Sequence, residues 1–353
     1  MRATSVRNGY IDVIKFIFTL IIIEFHLRTG IFEGGRIAVE GFFMISGYLM
    51  MANIYKNKFP NDNLGISTSR FIWNKYKALL PYMVPALLLS YAISCYSIER
   101  SLKDSARIFG LTIFDMIPLN LAGFDGNYPI GISWYLSGMF IALAFLYPLC
   151  KKYKSTFTLC VCPLLSVTLY GILSHNFGNL GVTTSYIEGD LLCAGIYRSV
   201  AGCALGCFMY EFCKRFENKE VKNGWRIIFT AIELFAFVYM IYVMHYRPMS
   251  KYDYVAAFAI FIFLLIGIGG LSYSSLIFRG NWTKGLNTLG LLLVLNHARL
   301  AICLRLILGD DYIHTAKIWI FFGLLAIYCL IGWITAKGIQ AFMRKIKVSS
   351  IWK

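Results

Sequence analysis

Long apolar stretches, broken by short polar segments, run the whole length of the chain. A hydrocarbon core of about 30 Å needs about 20 apolar residues per helix. Ten segments come close to that requirement: residues 11–27, 37–54, 78–98, 132–150, 156–173, 191–212, 225–244, 254–271, 286–308 and 316–336. The pattern predicts an all-α polytopic membrane protein, a single bundle of about ten transmembrane helices. No linker or change of composition divides residues 1–353, which predicts one domain. Pro81 and Pro85 fall inside the third segment and are expected to bend it, which membrane helices tolerate when neighbours satisfy the freed carbonyls.

Composition agrees. The 353 residues are 58% apolar and only 15% charged, which excludes an ordinary soluble fold. Charge then sets an orientation. With the N-terminus inside, 22 of the 34 Lys and Arg residues fall in cytoplasmic segments and seven in outer loops. The positive-inside rule therefore predicts that both termini are cytoplasmic. The net charge of +16 is spread over several short segments rather than gathered into one stripe, so no nucleic-acid partner is expected. The ten cysteines lie mostly within spans and show neither metal-ligand spacing nor a paired outer-loop arrangement. They read as packing residues, and no metal is expected. The first span is interrupted by polar residues and is not expected to be a cleaved signal peptide.

The first span carries Asp12, Lys15, Glu24 and His26. Ionisable groups inside a membrane are costly enough to read as functional. Lys15 and His26 are eleven residues apart, about three turns plus 20°, so they share one face of a helix about 16 Å apart along its axis. Thr19 and Ile22 fall between them on the same stripe, which predicts the lining of a passage. Asp12, one turn before Lys15, is placed to neutralise it. A neutral imidazole at position 26 suits a general base. In the second span, Glu40 is placed to orient and charge-balance that imidazole. Ser46 and Gly47 are small residues that let a backbone or a ligand approach closely.

Lys15, ten residues, His26, then Gly35, Val39, Glu40 and Phe42-Phe43-Met44-Ile45-Ser46-Gly47 together resemble the membrane-bound acyltransferase family 3. Residues 133–149, "SWYLSGMFIALAFLYPL", are similar to its Trp-x-Leu segment ending in Tyr-Pro. Residues 289–300, "LGLLLVLNHARL", are similar to its late histidine-bearing helix. Two departures from the family pattern stand out. Lys75 and Ala78 stand where two arginines are usual, and Met139 stands where some members have a glutamate.

The resemblance implies transfer of an acyl group, usually acetyl from acetyl-CoA or another acyl-CoA, to a hydroxyl of a cell-envelope glycan or glycan precursor. Lys15, Arg70, Lys75 and Lys77 are the expected contacts of the donor phosphates, with Ser46 beside the donor arm. His26 and Glu40 are the expected catalytic pair. Trp134 and Tyr135, and Asn296, His297 and Arg299 in the ninth span, are the candidate acceptor contacts. The expected location is a cell membrane, the bacterial cytoplasmic membrane, with lipid, acyl-CoA and a hydroxyl acceptor as partners. The alternative reading is a secondary transporter or flippase using His26 and Glu40 as a proton relay.

Overall fold

The computed structural model describes residues 9–56, 63–97, 101–123, 133–187, 189, 192–217, 219–278 and 282–345. Regular structure among them is helical, apart from one isolated antiparallel bridge between Tyr186 and Cys193. The helices are α1 (Tyr10–Leu27), α2 (Ala38–Lys56), α3 (Leu64–Ser97), α4 (Leu102–Leu111), α5 (Ile113–Met116), α6 (Ser133–Thr156), α7 (Cys162–Phe177), α8 (Ala194–Lys214), α9 (Asn223–Tyr246), α10 (Tyr252–Ile268), α11 (Ser274–Ile277), α12 (Lys284–Leu308) and α13 (Ile318–Lys345). A short 3₁₀ turn, Gly35–Ile37, leads into α2, and a π turn, Phe157–Val161, joins α6 to α7.

Among the described residues, helix makes up most of each of the ten apolar segments read from the sequence. Six helical stretches among the described residues are long and apolar enough to cross a membrane: Gly35–Lys56, Leu64–Ser97, Ser133–Phe177, Asn223–Tyr246, Lys284–Leu308 and Ile318–Lys345. The chain is therefore a multi-pass membrane protein. Large apolar side chains on α9 and α13, among them Leu234, Phe235, Trp319, Leu330 and Ile334, face outward, where lipid rather than water solvates them.

Two elements depart from the sequence expectation. Helix α3 starts at Leu64 rather than near residue 78, which puts Arg70, Lys75 and Lys77 on a helix instead of in a connecting segment. Helix α4 lies in what read as a plain outer loop. Its start is a Ser-x-x-Asp cap in which Ser101 Oγ accepts from the Asp104 amide at 3.1 Å and donates to the Asp104 carboxylate at 2.6 Å.

The described helices form two compact units. One comprises Met1–Ile72 and Trp134–Thr288, the other Trp73–Ser133 and Leu289–Lys353. In the first unit the closest pairing is α2 against α8, and glycine makes it possible. A Cβ at Gly47 would lie 2.0 Å from the Cys203 carbonyl oxygen, and one at Gly206 would lie 1.9 Å from that of Met44. With no side chain at either place, the two backbones touch, the usual way membrane helices gain dispersion energy without a hydrophobic driving force. Helix α7 packs on the same α8, and Ser166 Oγ donates to the Ala201 carbonyl at 2.7 Å. In the second unit, Arg299 Nε on α12 donates to Ser94 Oγ on α3 at 2.6 Å, and Gln340 on α13 donates to the Tyr82 hydroxyl at 3.3 Å.

Candidate active site

On α1 of the first unit, the Lys15 to His26 stripe forms as its spacing requires. Thr19 Oγ1 donates to the Lys15 carbonyl at 2.9 Å, and His26 Nδ1 lies 2.9 Å from the Ile22 carbonyl oxygen. A carbonyl only accepts, so this bond requires a proton on Nδ1. In the neutral ring the basic lone pair then sits on Nε2. Thr19 and Ile22 are buried, so the stretch between the two ionisable groups is packed rather than an open passage. At the other end of the stripe, Lys15 Nζ donates to Asn287 Oδ1 at 2.7 Å. Asp12 accepts from Thr283 Oγ1 at 3.1 Å, so the start of α12 is fastened to the start of α1. Glu24 accepts from the Thr29 hydroxyl and, at 3.1 Å, from the Ile31 amide, and so closes the turn after α1.

Glu40 does not hold the imidazole. Its Oε1 is 2.9 Å from Arg198 Nε and 2.8 Å from Arg198 Nη2, and its Oε2 accepts from the Tyr170 hydroxyl at 2.5 Å. Both charged side chains are fully buried. A guanidinium cannot shed its proton, so in the middle of a helix bundle it requires a carboxylate, and Glu40 of α2 supplies one to α8. Arg198 also donates through Nη1 to the Val182 carbonyl at 3.1 Å. The orientation expected from Glu40 comes instead from the backbone of α1, through the Ile22 carbonyl.

The aromatic start of α6 is tied into the same cluster. The Arg198 guanidinium carbon lies 5.2 Å from the centre of the Trp134 ring, a cation–π contact. Trp134 also packs edge-on to Phe43, and the Tyr135 ring lies 5.0 Å from that of Phe43. Trp134 and Tyr135, expected as a sugar platform, thus spend at least one face on packing. Ser46, expected beside the donor, donates to Met139 Sδ at 3.4 Å and is buried between α2 and α6. A second ion pair, Arg36 with Asp253 at 3.7 Å, lies in the same unit, and Asp253 also accepts from the Leu180 amide at 3.0 Å.

Of the basic residues on α3, Arg70 belongs to the first unit and Lys75 and Lys77 to the second. All three are half-buried, and Lys77 Nζ lies 5.7 Å over the Trp73 ring. On α12 in the second unit, His297 is buried with Nδ1 3.0 Å from the Leu293 carbonyl, the same backbone arrangement as at His26. Asn296 donates to the Leu292 carbonyl at 2.8 Å, while its Oδ1 is buried with no hydrogen-bond partner among the described residues. Arg299 is held by Ser94, as described above.

Sequence reasoning left Arg198 without a role and passed over Tyr170 and Asn287. The signal for Arg198 was present, since a cation inside a span demands a partner. Asn287 and Tyr170 offered none, because their roles come from helices distant in sequence. Comparison with curated proteins and with solved structures gives no match. A family model described as an acyltransferase domain, Acyl_transf_3, matches residues 8–337, nearly the whole chain. It spans α1 with its Lys15 and His26 and reaches into α13, so this multi-pass membrane protein belongs to the membrane-bound acyltransferase family 3.

Proposed function

We propose that the protein moves an acyl group, in the first instance acetyl, from cytosolic acyl-CoA to a hydroxyl of a cell-envelope glycan or glycan precursor. It does so in the bacterial cytoplasmic membrane, crossing it ten times with both ends cytoplasmic. The observation that carries the reading is the His26 ring: its Nδ1 is bonded to a backbone carbonyl, which makes Nε2 the basic nitrogen, three turns from an amine on the same helix face. The family supports the reaction class, and this geometry supports His26 as the base.

In this reading the CoA phosphates pair with Lys15 and Arg70, both cations of the first unit. The thioester arm extends toward His26 once the packed stretch at Thr19 and Ile22 yields to it. The acceptor oxygen attacks the thioester carbonyl while its proton passes to Nε2, and the carbon–sulfur bond then breaks. The CoA thiolate leaves with the proton that His26 returns. General-base assistance of this kind typically gives about 10² to 10⁴-fold. Glu40 contributes at one remove, by neutralising Arg198 and so fixing α2 against α8.

The test is CoA thiol release from labelled acetyl-CoA by purified protein, with and without an acceptor extract. Release that depends on His26 supports the proposal. Movement of the acceptor across proteoliposomes without any thiol release would replace it with the transport reading.

A further inference from the structure

Three cysteines far apart in sequence meet in the first unit. Cys150 near the end of α6, Cys162 at the start of α7 and Cys207 in the middle of α8 place their sulfurs within 4.8 Å of one another, and all three side chains are fully buried. The backbone is irregular where this meeting is arranged. It breaks at Lys154, with φ 41°, and the π turn Phe157–Val161 rotates the chain immediately before Cys162. Turns of this type insert one extra residue into a helix and re-aim the side chains that follow. Cys207 also points toward the Gly47 carbonyl at 3.8 Å, so the cluster adjoins the α2–α8 crossing.

From this we infer that Cys150, Cys162 and Cys207 form a trigonal thiolate site for a monovalent, thiophilic metal ion, with Cu(I) as the fitting species. A metal–sulfur bond of about 2.3 Å in a trigonal plane holds the sulfurs about 4.0 Å apart. Contraction by under about 1 Å from the observed limit therefore closes the site. Soft sulfur donors select Cu(I), Zn(II) or iron–sulfur clusters. Structural zinc takes four ligands, and four thiolates are the usual set for an iron–sulfur cluster. Among the described residues no fourth His, Cys, Asp or Glu ligand atom joins this group. Each sulfur that ligates does so as thiolate, so its S–H proton leaves to solvent as the ion enters. No electron is transferred.

The experiment uses the full chain in detergent under anaerobic, reducing conditions, titrated with Cu(I) against a chromophoric Cu(I) chelator. The expected result is one Cu(I) per chain, X-ray absorption with about three sulfurs near 2.3 Å, and at least tenfold weaker retention in Cys207→Ala and in Cys150→Ser. Cys160→Ser, at an exposed position, should leave retention unchanged. Because a core variant can fail to fold, the wild-type chain supplies a second readout. Cu(I) should protect Cys150, Cys162 and Cys207 from alkylation during brief local opening while leaving Cys160 reactive. Retention that survives Cys207→Ala, or is lost with Cys160→Ser, or protection that omits these three positions, would overturn the site. Since none of the three cysteines has a role in the acyl-transfer reading, failure of the site leaves that reading untouched.

Discussion

Replacing Glu40 by Gln tests whether the motif acid acts by holding Arg198 rather than by orienting His26. The substitution keeps the shape and still accepts the Tyr170 hydroxyl, but removes the charge that faces Arg198 Nε at 2.9 Å and Nη2 at 2.8 Å. A fully buried guanidinium is then left uncompensated. Breaking such a pair from one side costs about 3–5 kcal/mol. For a chain of this size each kcal/mol corresponds to roughly 2 °C, so thermal unfolding in detergent should fall by about 6–10 °C. Arg198→Met should cost less, because a lone carboxyl can take up a proton whereas a guanidinium cannot lose one. The double variant, Glu40→Gln with Arg198→Met, removes both charges and should recover at least about 2 kcal/mol relative to Glu40→Gln alone, the coupling expected of a direct pair. Acyl transfer should follow stability across the three variants, with the double variant regaining turnover. Equal melting temperatures for Glu40→Gln and the parent would refute the pairing. A double variant as stable as the parent but inactive would return Glu40 to the chemistry.

The remaining predictions concern the stripe and the helix crossing. His26→Asn preserves a donor toward the Ile22 carbonyl but offers no basic nitrogen, so transfer should drop about 10² to 10⁴-fold while the protein remains monodisperse on size exclusion. Lys15→Ala should raise the KM for acyl-CoA with a smaller change in kcat; an unchanged KM would detach Lys15 from the donor. Gly206→Ala puts a Cβ against the Met44 backbone carbonyl, which cannot move aside as a side chain would, and should cost about 1–3 kcal/mol in a detergent melt. Gly171→Ala meets nothing within 4 Å and should leave the melt unchanged or raise it by the equivalent of about 0.5–1 kcal/mol.

Apolar run lengths were enough to place a helix within every predicted segment, because in lipid the backbone must satisfy itself and the helix is the local way to do so. The alignment of Lys15 with His26 was equally legible, since a face shared along one helix depends only on spacing. Helix α4 was legible in principle through Ser101 and Asp104, but a capping pair is a weak signal within a polar loop.

Partner choice was a different matter. Glu40 read as the companion of His26, yet it serves Arg198 from a helix 158 residues away. Ser46 and Trp134 read as ligand contacts, yet Ser46 bonds Met139 and Trp134 covers the guanidinium. Cys150, Cys162 and Cys207 read as unrelated packing residues until α6, α7 and α8 brought their sulfurs together. Local hydrogen bonding and side-chain periodicity decide what each segment becomes, and both are written in the sequence. Which buried charge meets which is decided only when helices close on one another, at places such as Gly47 and Gly206 where the absence of a side chain lets two backbones touch.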